Sequence, residues 1–405
     1  MMISSLLITI TMAVSSYCSF LLFRDLADIS QWVIQTERQK TLRSWYQRKK
    51  LTALSVVLLL IAWLVWGLTD NLFSLTMISI ISIINAAMLF SGAINPELMM
   101  RGRQGNGLFV DVEEGKKYVD SNESVIVTVV NGDARAHSDK QMLRPHVASN
   151  GQQGGENVVM TYCGLTNLGV AFTPEIDGVP VKLRPMTQLE NNLVLADEVS
   201  GEPIQQLWGQ KEVDALQNNA SRMSEVPSFR MPYHRFVEVF PEGSVYVNDY
   251  LVEDTRTSFW MNPFKFCYDR CIELIFRASV RYQHTSPKPV FPTIKNIDGR
   301  LPSKELVWGF NIDDDYVAYT EAFVRQNGNL INAVIGGKDV VISYDQEAES
   351  LGVFYNPARY SVNTVDVHGA TDLGTVLKRV ETVKSGAFWI VWANFFPETG
   401  LNIHS

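Results

Sequence analysis

Asn157–Phe172 reads NVVMTYCGLTNLGVAF. An apolar, β-branched run ends on Tyr162-Cys163, a turn containing Gly164 follows, and a second apolar run opens at Leu168. That is the pattern of strand, turn and strand. The texture extends on both sides: SVIVTVVNG (124–132), NLGVAFTPEIDGVPVKL (167–183) and NNLVLADE (191–198) are short strand-like runs punctuated by Gly, Asn, Asp and Pro. Asn131-Gly132 and Asp177-Gly178 have the residue types of tight hairpin turns. Helical periodicity is weak until about 262–282. The chain after the first hundred residues therefore reads as β-rich, of the α+β class.

The stretch has an internal echo. Displaced by ~182 positions, ESVIVTVVNGDARAH (123–137) falls on ELVWGFNIDDDYVAY (305–319), and Gly154–Tyr162 falls without a gap on Gly336–Tyr344. FVEVFPEG (236–243) and WANFFPETG (392–400) close each half in the same order. Two copies of one β-rich module are expected, at 101–250 and 300–405. Residues 251–299 form an insertion with a helix, and 1–100 a membrane anchor. The strands ending at Tyr162 and Tyr344 are expected to be buried.

The anchor is read from three apolar runs, Ile3–Phe23, Leu51–Leu68 and Phe73–Ile94, none holding a charged side chain. Each is near the roughly 20 residues a hydrocarbon layer requires, so three transmembrane helices are expected. Thr69–Leu72 joins the second and third tightly, and Trp63 and Trp66 suit an interface. Arg24, Arg38, Lys40, Arg43, Arg48, Lys49 and Lys50 lie between the first two runs, and Arg101 and Arg103 follow the third. The positive-inside rule then puts the N-terminus outside and the large C-terminal part in the cytoplasm. The rival topology, an uncleaved signal anchor with the C-terminal part extracytoplasmic, is disfavoured by the lack of a basic start. Segment 24–50, with Trp32, Val33, Ile34, Trp45 and Tyr46 among its cations, is expected to lie along the bilayer surface as an amphipathic helix. Without ionisable groups inside the membrane, anchoring and self-association are expected rather than transport.

A formal net charge of −8 argues against a nucleic-acid partner. The expected partners are the lipid bilayer and a second copy or another protein. Four cysteines (Cys18, Cys163, Cys267, Cys271) are too few for a disulfide scaffold. Cys163 would be a nucleophile if His137 or His146 lay beside it, and the three together would suffice for an open metal site. Against both stands the commoner role of a buried cysteine as a small hydrophobe. Cys267 and Cys271, at i and i+4, share one helical face and read as packing residues. Asp313–Asp315 reads as a hairpin turn rather than a calcium loop, and the aromatic cluster at 388–396 as core. No dinucleotide fingerprint, phosphate loop, nucleophile elbow or zinc-protease motif occurs. That disfavours nucleotide enzymes, α/β hydrolases and zinc proteases but not an enzyme whose residues meet only in space, and leaves any cofactor unknown.

Four blocks carry a resemblance: NGDARAH, VVMTYCGLTNLGVAF, NNLVLADE leading to LWG, and FWIVWANFFPET, joined by the lead-in FPTIKNIDGRLPSKELVWGF. Together they make the soluble part similar to a bacterial family of unknown function, DUF3179, whose hallmark reads Tyr-Cys-Pro-Leu-Cys. The resemblance implies a bacterial inner-membrane protein and carries no established activity. Where the family has two cysteines this chain has Cys163 and Thr166. Its Ala-Tyr-Pro appears as Ala136-His137-Ser138, its His-Glu as His146-Val147, and its Phe-His-Pro as Phe395-Phe396-Pro397. If those family residues form a metal or redox centre, most of its ligands are absent here. The function expected is ligand binding or protein interaction at the bilayer surface; the alternative is a metal- or thiol-dependent redox enzyme centred on Cys163.

Overall fold

A computed structural model describes residues 1–34, 36–100, 102–103, 107–212, 221–248 and 258–402. Arg101 and the 250/251 module boundary lie outside the described residues. The chain divides into two compact units: Met1–Met100 with Pro185–Leu189 and Phe291–Thr293, and the remainder from Arg101 to Ser405.

The first unit contains three helices long and apolar enough to cross a membrane: α1 (Met2–Leu26), α2 (Arg38–Leu68) and α3 (Leu75–Leu89), the last continuing through a π-helical turn to Ile94. Polar residues are paired inside this bundle. The Ser15 hydroxyl meets Ser55 Oγ at 2.9 Å, Ser19 meets it at 2.7 Å, and the Asn85 amide donates to Ser16 Oγ at 3.1 Å. Gly92 lets backbones touch, since a Cβ there would collide with the Leu22 carbonyl. The expectation of a separate surface helix over 24–50 is corrected. Residues 28–32 form a 3₁₀ turn, and Arg38–Lys50 are the first turns of α2 itself. No helix breaker separates those cations from the apolar run, so one helix propagates through both. At 31 residues it is about 46 Å long, more than the ~30 Å of hydrocarbon that a span has to cover.

Just past α1, the buried Asp28 carboxylate accepts from the Thr187 hydroxyl at 3.0 Å and the Gln188 amide at 3.1 Å. Gln31 donates to the Gln188 carbonyl at 2.6 Å. Burial outweighs these donors and raises the Asp28 pKa to about 6.

The second unit is β-rich. The first half of the β-rich region contains β1 (Leu108–Asp111), β2 (Ser124–Val130), β3 (Asp133–Ser138), β4 (Val147–Gln153), β5 (Glu156–Cys163), β6 (Leu168–Phe172), β7 (Leu183–Leu189, of which Pro185–Leu189 belongs to the first unit), β8 (Asn192–Asp197), β9 (Ser228–Pro232) and β10 (Ser244–Val247). One sheet is ordered β9-β2-β3-β10-β1, and β4-β5-β6 are consecutive in another. A third sheet begins β7-β8. The second half contains β11 (Leu306–Ile312), β12 (Asp315–Tyr319), β13 (Leu330–Ile335), β14 (Lys338–Asp345), β15 (Ser350–Tyr355), β16 (Lys384–Phe388) and β17 (Gly400–Asn402), ordered β16-β11-β12-β17 and β13-β14-β15. Sheets are mixed, because β10 runs parallel to β3 and β17 parallel to β12.

The turns follow sequence chemistry. Asn131 and Gly132 turn with φ of 47° and 87°, Asp177 and Gly178 with 53° and 76°, and Asp313 with 50°, values that Asn, Asp and Gly tolerate best. Gly154 donates its amide to Asp133 at 3.1 Å, and Gly336 donates to Asp315 at 3.0 Å. Tyr162 and Tyr344 are both buried. Phe388 ends a strand and Trp389–Phe395 form a short helix with Trp389 and Trp392 buried, so the aromatic cluster is core. Cys267 and Cys271 depart from expectation: both are exposed on the helix Pro263–Thr285. That helix buries the face carrying Ile272 and Gln283 instead.

Candidate functional site

Successive residues of a strand point to opposite faces, so Tyr162 and Cys163 at the end of β5 enter different surroundings. Around Cys163 the surroundings are neutral. The Thr166 hydroxyl lies 3.5 Å from its sulfur and 2.8 Å from the Asn191 carbonyl, the better acceptor. The Asn192 amide donates to Thr166 Oγ1 at 2.8 Å and to Gln206 Oε1 at 3.0 Å, and Gln206 in turn donates to the Leu168 carbonyl at 3.2 Å. All of these side chains are buried. Burial raises the Cys163 pKa despite the Thr166 hydroxyl, which favours the thiol over the nucleophilic thiolate.

The two histidines occupy other positions. His137 is fully buried, with Nε2 2.8 Å from Asn150 Oδ1 and its ring 5.7 Å from both Phe109 and Tyr246. Asn150 donates onward to Gln153 at 2.9 Å. His146 gives its carbonyl to the Tyr162 amide at 2.9 Å, while its buried ring lies 5.4 Å from Phe276. Burial lowers the pKa of each to about 4. Among the described residues, no group of three or more His, Cys, Asp or Glu is placed to hold a metal ion.

Around Tyr162 the surroundings are charged. Arg230, on β9 and only 6% exposed, donates to Asp139 Oδ2 at 2.7 Å, Ser124 Oγ at 3.1 Å, the Ser385 carbonyl at 2.9 Å and the Asn167 carbonyl at 2.8 Å. Asn167 donates to the Gly386 carbonyl at 2.9 Å. Gly386 is required twice over: its φ is 76°, and a Cβ would press against the Arg230 side chain. Burial, reinforced by the charge of Asp139, raises the Tyr162 pKa well above its ordinary value.

His284, near the end of the Pro263–Thr285 helix, and Lys304, just before β11, flank Phe388. The imidazole is 5.1 Å from that ring, and Lys304 Nζ is 5.1 Å from its centroid. His284 is at the surface, yet surrounding protein lowers its pKa; Asp139 opposes that shift, and Arg230 and Lys304 add to it. One imidazole thus feels all three charges. Burial lowers the Lys304 pKa to about 8. Three buried atoms of this group lack a hydrogen-bond partner: Lys304 Nζ, Asp139 Oδ1 and Asn167 Oδ1. Such orphaned polar atoms are rare in folded proteins and are what a polar ligand would satisfy.

Sequence reasoning singled out Cys163, His137 and His146 and missed Asp139, Arg230, His284 and Lys304. These four come from widely separated stretches and form no local motif. Lys304 gave no signal of its own, since Glu305 separates it from the apolar run LVWGF and Arg300 lies four residues before it.

A family model described as a protein of unknown function, DUF3179, matches residues 105–399. The chain belongs to the DUF3179 family. Curated proteins and solved structures give no match. Both surroundings of β5 lie within the DUF3179 region, and the three candidate spans precede it.

Proposed function

We propose that this DUF3179 protein is a membrane-anchored binding protein that takes a small polar ligand at the Asp139–Arg230–Lys304 group. The observation that carries the reading is the pairing of open valences. Lys304 Nζ offers an unused donor and Asp139 Oδ1 an unused acceptor, beside a guanidinium held by four bonds. A ligand carrying both a carboxylate and an amino or hydroxyl group matches that set. The test is thermal unfolding of the detergent-purified full chain against a panel of amino acids and hydroxy acids. At least one compound is expected to raise the unfolding temperature, and the rise should vanish in Lys304→Met and Asp139→Asn. A panel without effect, or an effect that both variants retain, would refute the site.

We also infer that residues 101–250 and 300–405 are two copies of one module. The matched glycine–aspartate bonds, Gly154 with Asp133 and Gly336 with Asp315, support this, as do the corresponding strand orders. Unlike backbones for 123–162 and 305–344 in an experimental structure would dismiss it. The soluble region is proposed to be cytoplasmic. The exposed Cys267 and Cys271 make that testable, since in intact spheroplasts a membrane-impermeant maleimide should leave them unlabelled.

The second reading, a thiol- or metal-dependent redox enzyme using Cys163, His137 and His146, has the buried thiol in its way. Elemental analysis and thiol titration of purified protein separate the two readings. Stoichiometric metal lost in Cys163→Ser, or a rapidly reacting Cys163, would favour the enzyme.

A further inference from the structure

The Pro263–Thr285 helix has two unlike long faces. Its inner face is engaged: Ile272 is buried, the Gln283 amide bonds to the Leu165 carbonyl, Phe276 lies against His146, and Arg144 pairs with Asp269 at 2.8 Å. On the opposite arc Phe264, Cys267, Cys271, Leu274, Ala278 and Tyr282 recur at helical spacing, and all are exposed. The preceding turn adds Trp260 and Met261. Trp260 is 89% exposed, Phe264 87% and Leu274 69%. Elsewhere in this unit exposed large hydrophobic residues such as Val199 and Ile297 are scattered, which is ordinary. A continuous stripe led by two aromatic rings is not.

Charge identifies the occupant. In a chain of net charge −8, this helix has four basic residues, Lys265, Arg270, Arg277 and Arg281, against Asp269 and Glu273. Arg270 and Arg277 border the apolar stripe, and Arg281 closes it. An aromatic apolar face with arginines along its margin is the composition of a helix lying in a membrane interface with anionic headgroups. The same chain carries three helices apolar enough to span a bilayer, so tethering raises the effective concentration of that surface.

We propose that the Pro263–Thr285 helix docks by this face on an anionic bilayer surface, as a second and reversible membrane contact. The proposal rests on the three helices spanning a membrane. It is tested with the full chain in proteoliposomes of phosphatidylcholine, with or without phosphatidylglycerol. A fluorophore is placed on Cys271 in a Cys267→Ser background, since Cys18 and Cys163 are buried. The control fluorophore is on Asp314→Cys with Cys267 and Cys271 both replaced by serine. Nitroxide-labelled lipid is expected to quench Cys271 roughly threefold more than the control, with the difference larger in anionic vesicles. Trp260→Asp/Phe264→Asp/Leu274→Asp, all at exposed positions, should bring quenching down to the control. Equal quenching at the two labels overturns the proposal. So does disulfide cross-linking of Cys271 between two copies without lipid quenching, which would make a second copy the occupant. Release of the protein by carbonate washing would overturn the spanning helices themselves, a failure distinct from absent quenching.

Discussion

Tyr162 and Cys163 are neighbours in sequence with opposite environments. The Cys163 side is a neutral set of Thr, Asn and Gln whose donors are spent on one another; among the named members Asn192 Oδ1 stays open. The Tyr162 side holds Arg230 and Asp139, whose charges reach His284 together with that of Lys304, and this group leaves three polar atoms open, one of them on the lysine. A satisfied neutral network fixes a fold, whereas open valences beside charge give up stability and invite a ligand. The residue that catches the eye in the sequence thus sits in the neutral half, and the charged side chains with open valences are concentrated next door.

Breaking the charged side at its best-paired member should cost most. Arg230→Ala removes four hydrogen bonds and strands Asp139, so a loss of about 3–5 kcal/mol is expected in denaturant unfolding of the full chain. A loss under about 1 kcal/mol would show that the guanidinium is not organising the group.

Acid should act through the histidines next. His137 and His146 have folded pKa values near 4, below the ordinary 6.5, so the unfolded chain binds more protons between those values. Stability is therefore present above about 6.5 and falls as pH drops toward about 4. Unfolding midpoints between pH 7 and 4 should show the decline, and it should be shallower in His137→Gln. An unchanged slope would mean that the ring is solvated in the native protein.

Lys304 sharpens the comparison by moving the other way. Its pKa near 8 lies below the ordinary 10.5, so the unfolded state binds the extra proton between the two. Its contribution to stability should rise as pH increases from about 8 toward 10.5 and be flat below. Lys304→Met should abolish that rise and leave stability at pH 7 unchanged or higher by about 1 kcal/mol, since a buried amine without a hydrogen-bond partner is removed and the methionine still packs on Phe388. A variant less stable than the parent at pH 7 would identify a partner for the ammonium and dissolve the contrast.

How much of this was legible in the sequence depended on how local each cause is. Hairpins at Asn131-Gly132 and Asp177-Gly178, the helix at 263–285 and the apolar runs were readable because turn chemistry and periodicity act over a few residues. The exposure of Cys267 and Cys271 was not, because an i, i+4 pair marks a face without saying what that face meets. The charged group was illegible for a stronger reason: Asp139, Arg230, His284 and Lys304 meet only after several sheets have formed. Cys163 drew attention because its motif is contiguous, and contiguity reports the turn at Gly164–Asn167 as readily as chemistry.

The smallest effect expected is therefore at the most conspicuous residue. Cys163→Ser keeps the shape of the side chain and exchanges a weak acceptor for a hydroxyl beside Thr166 Oγ1 and the Asn191 carbonyl, both able to bond it. The exchange should cost about 1 kcal/mol of stability, the desolvation of one hydroxyl being offset by a hydrogen bond. Ligand-induced stabilisation should stay at the parent value, because no charge around Tyr162 has changed. A Cys163→Ser protein that folds normally yet loses all response to ligand would join the two sides of β5 into one site, and the division between structural and binding halves would be wrong.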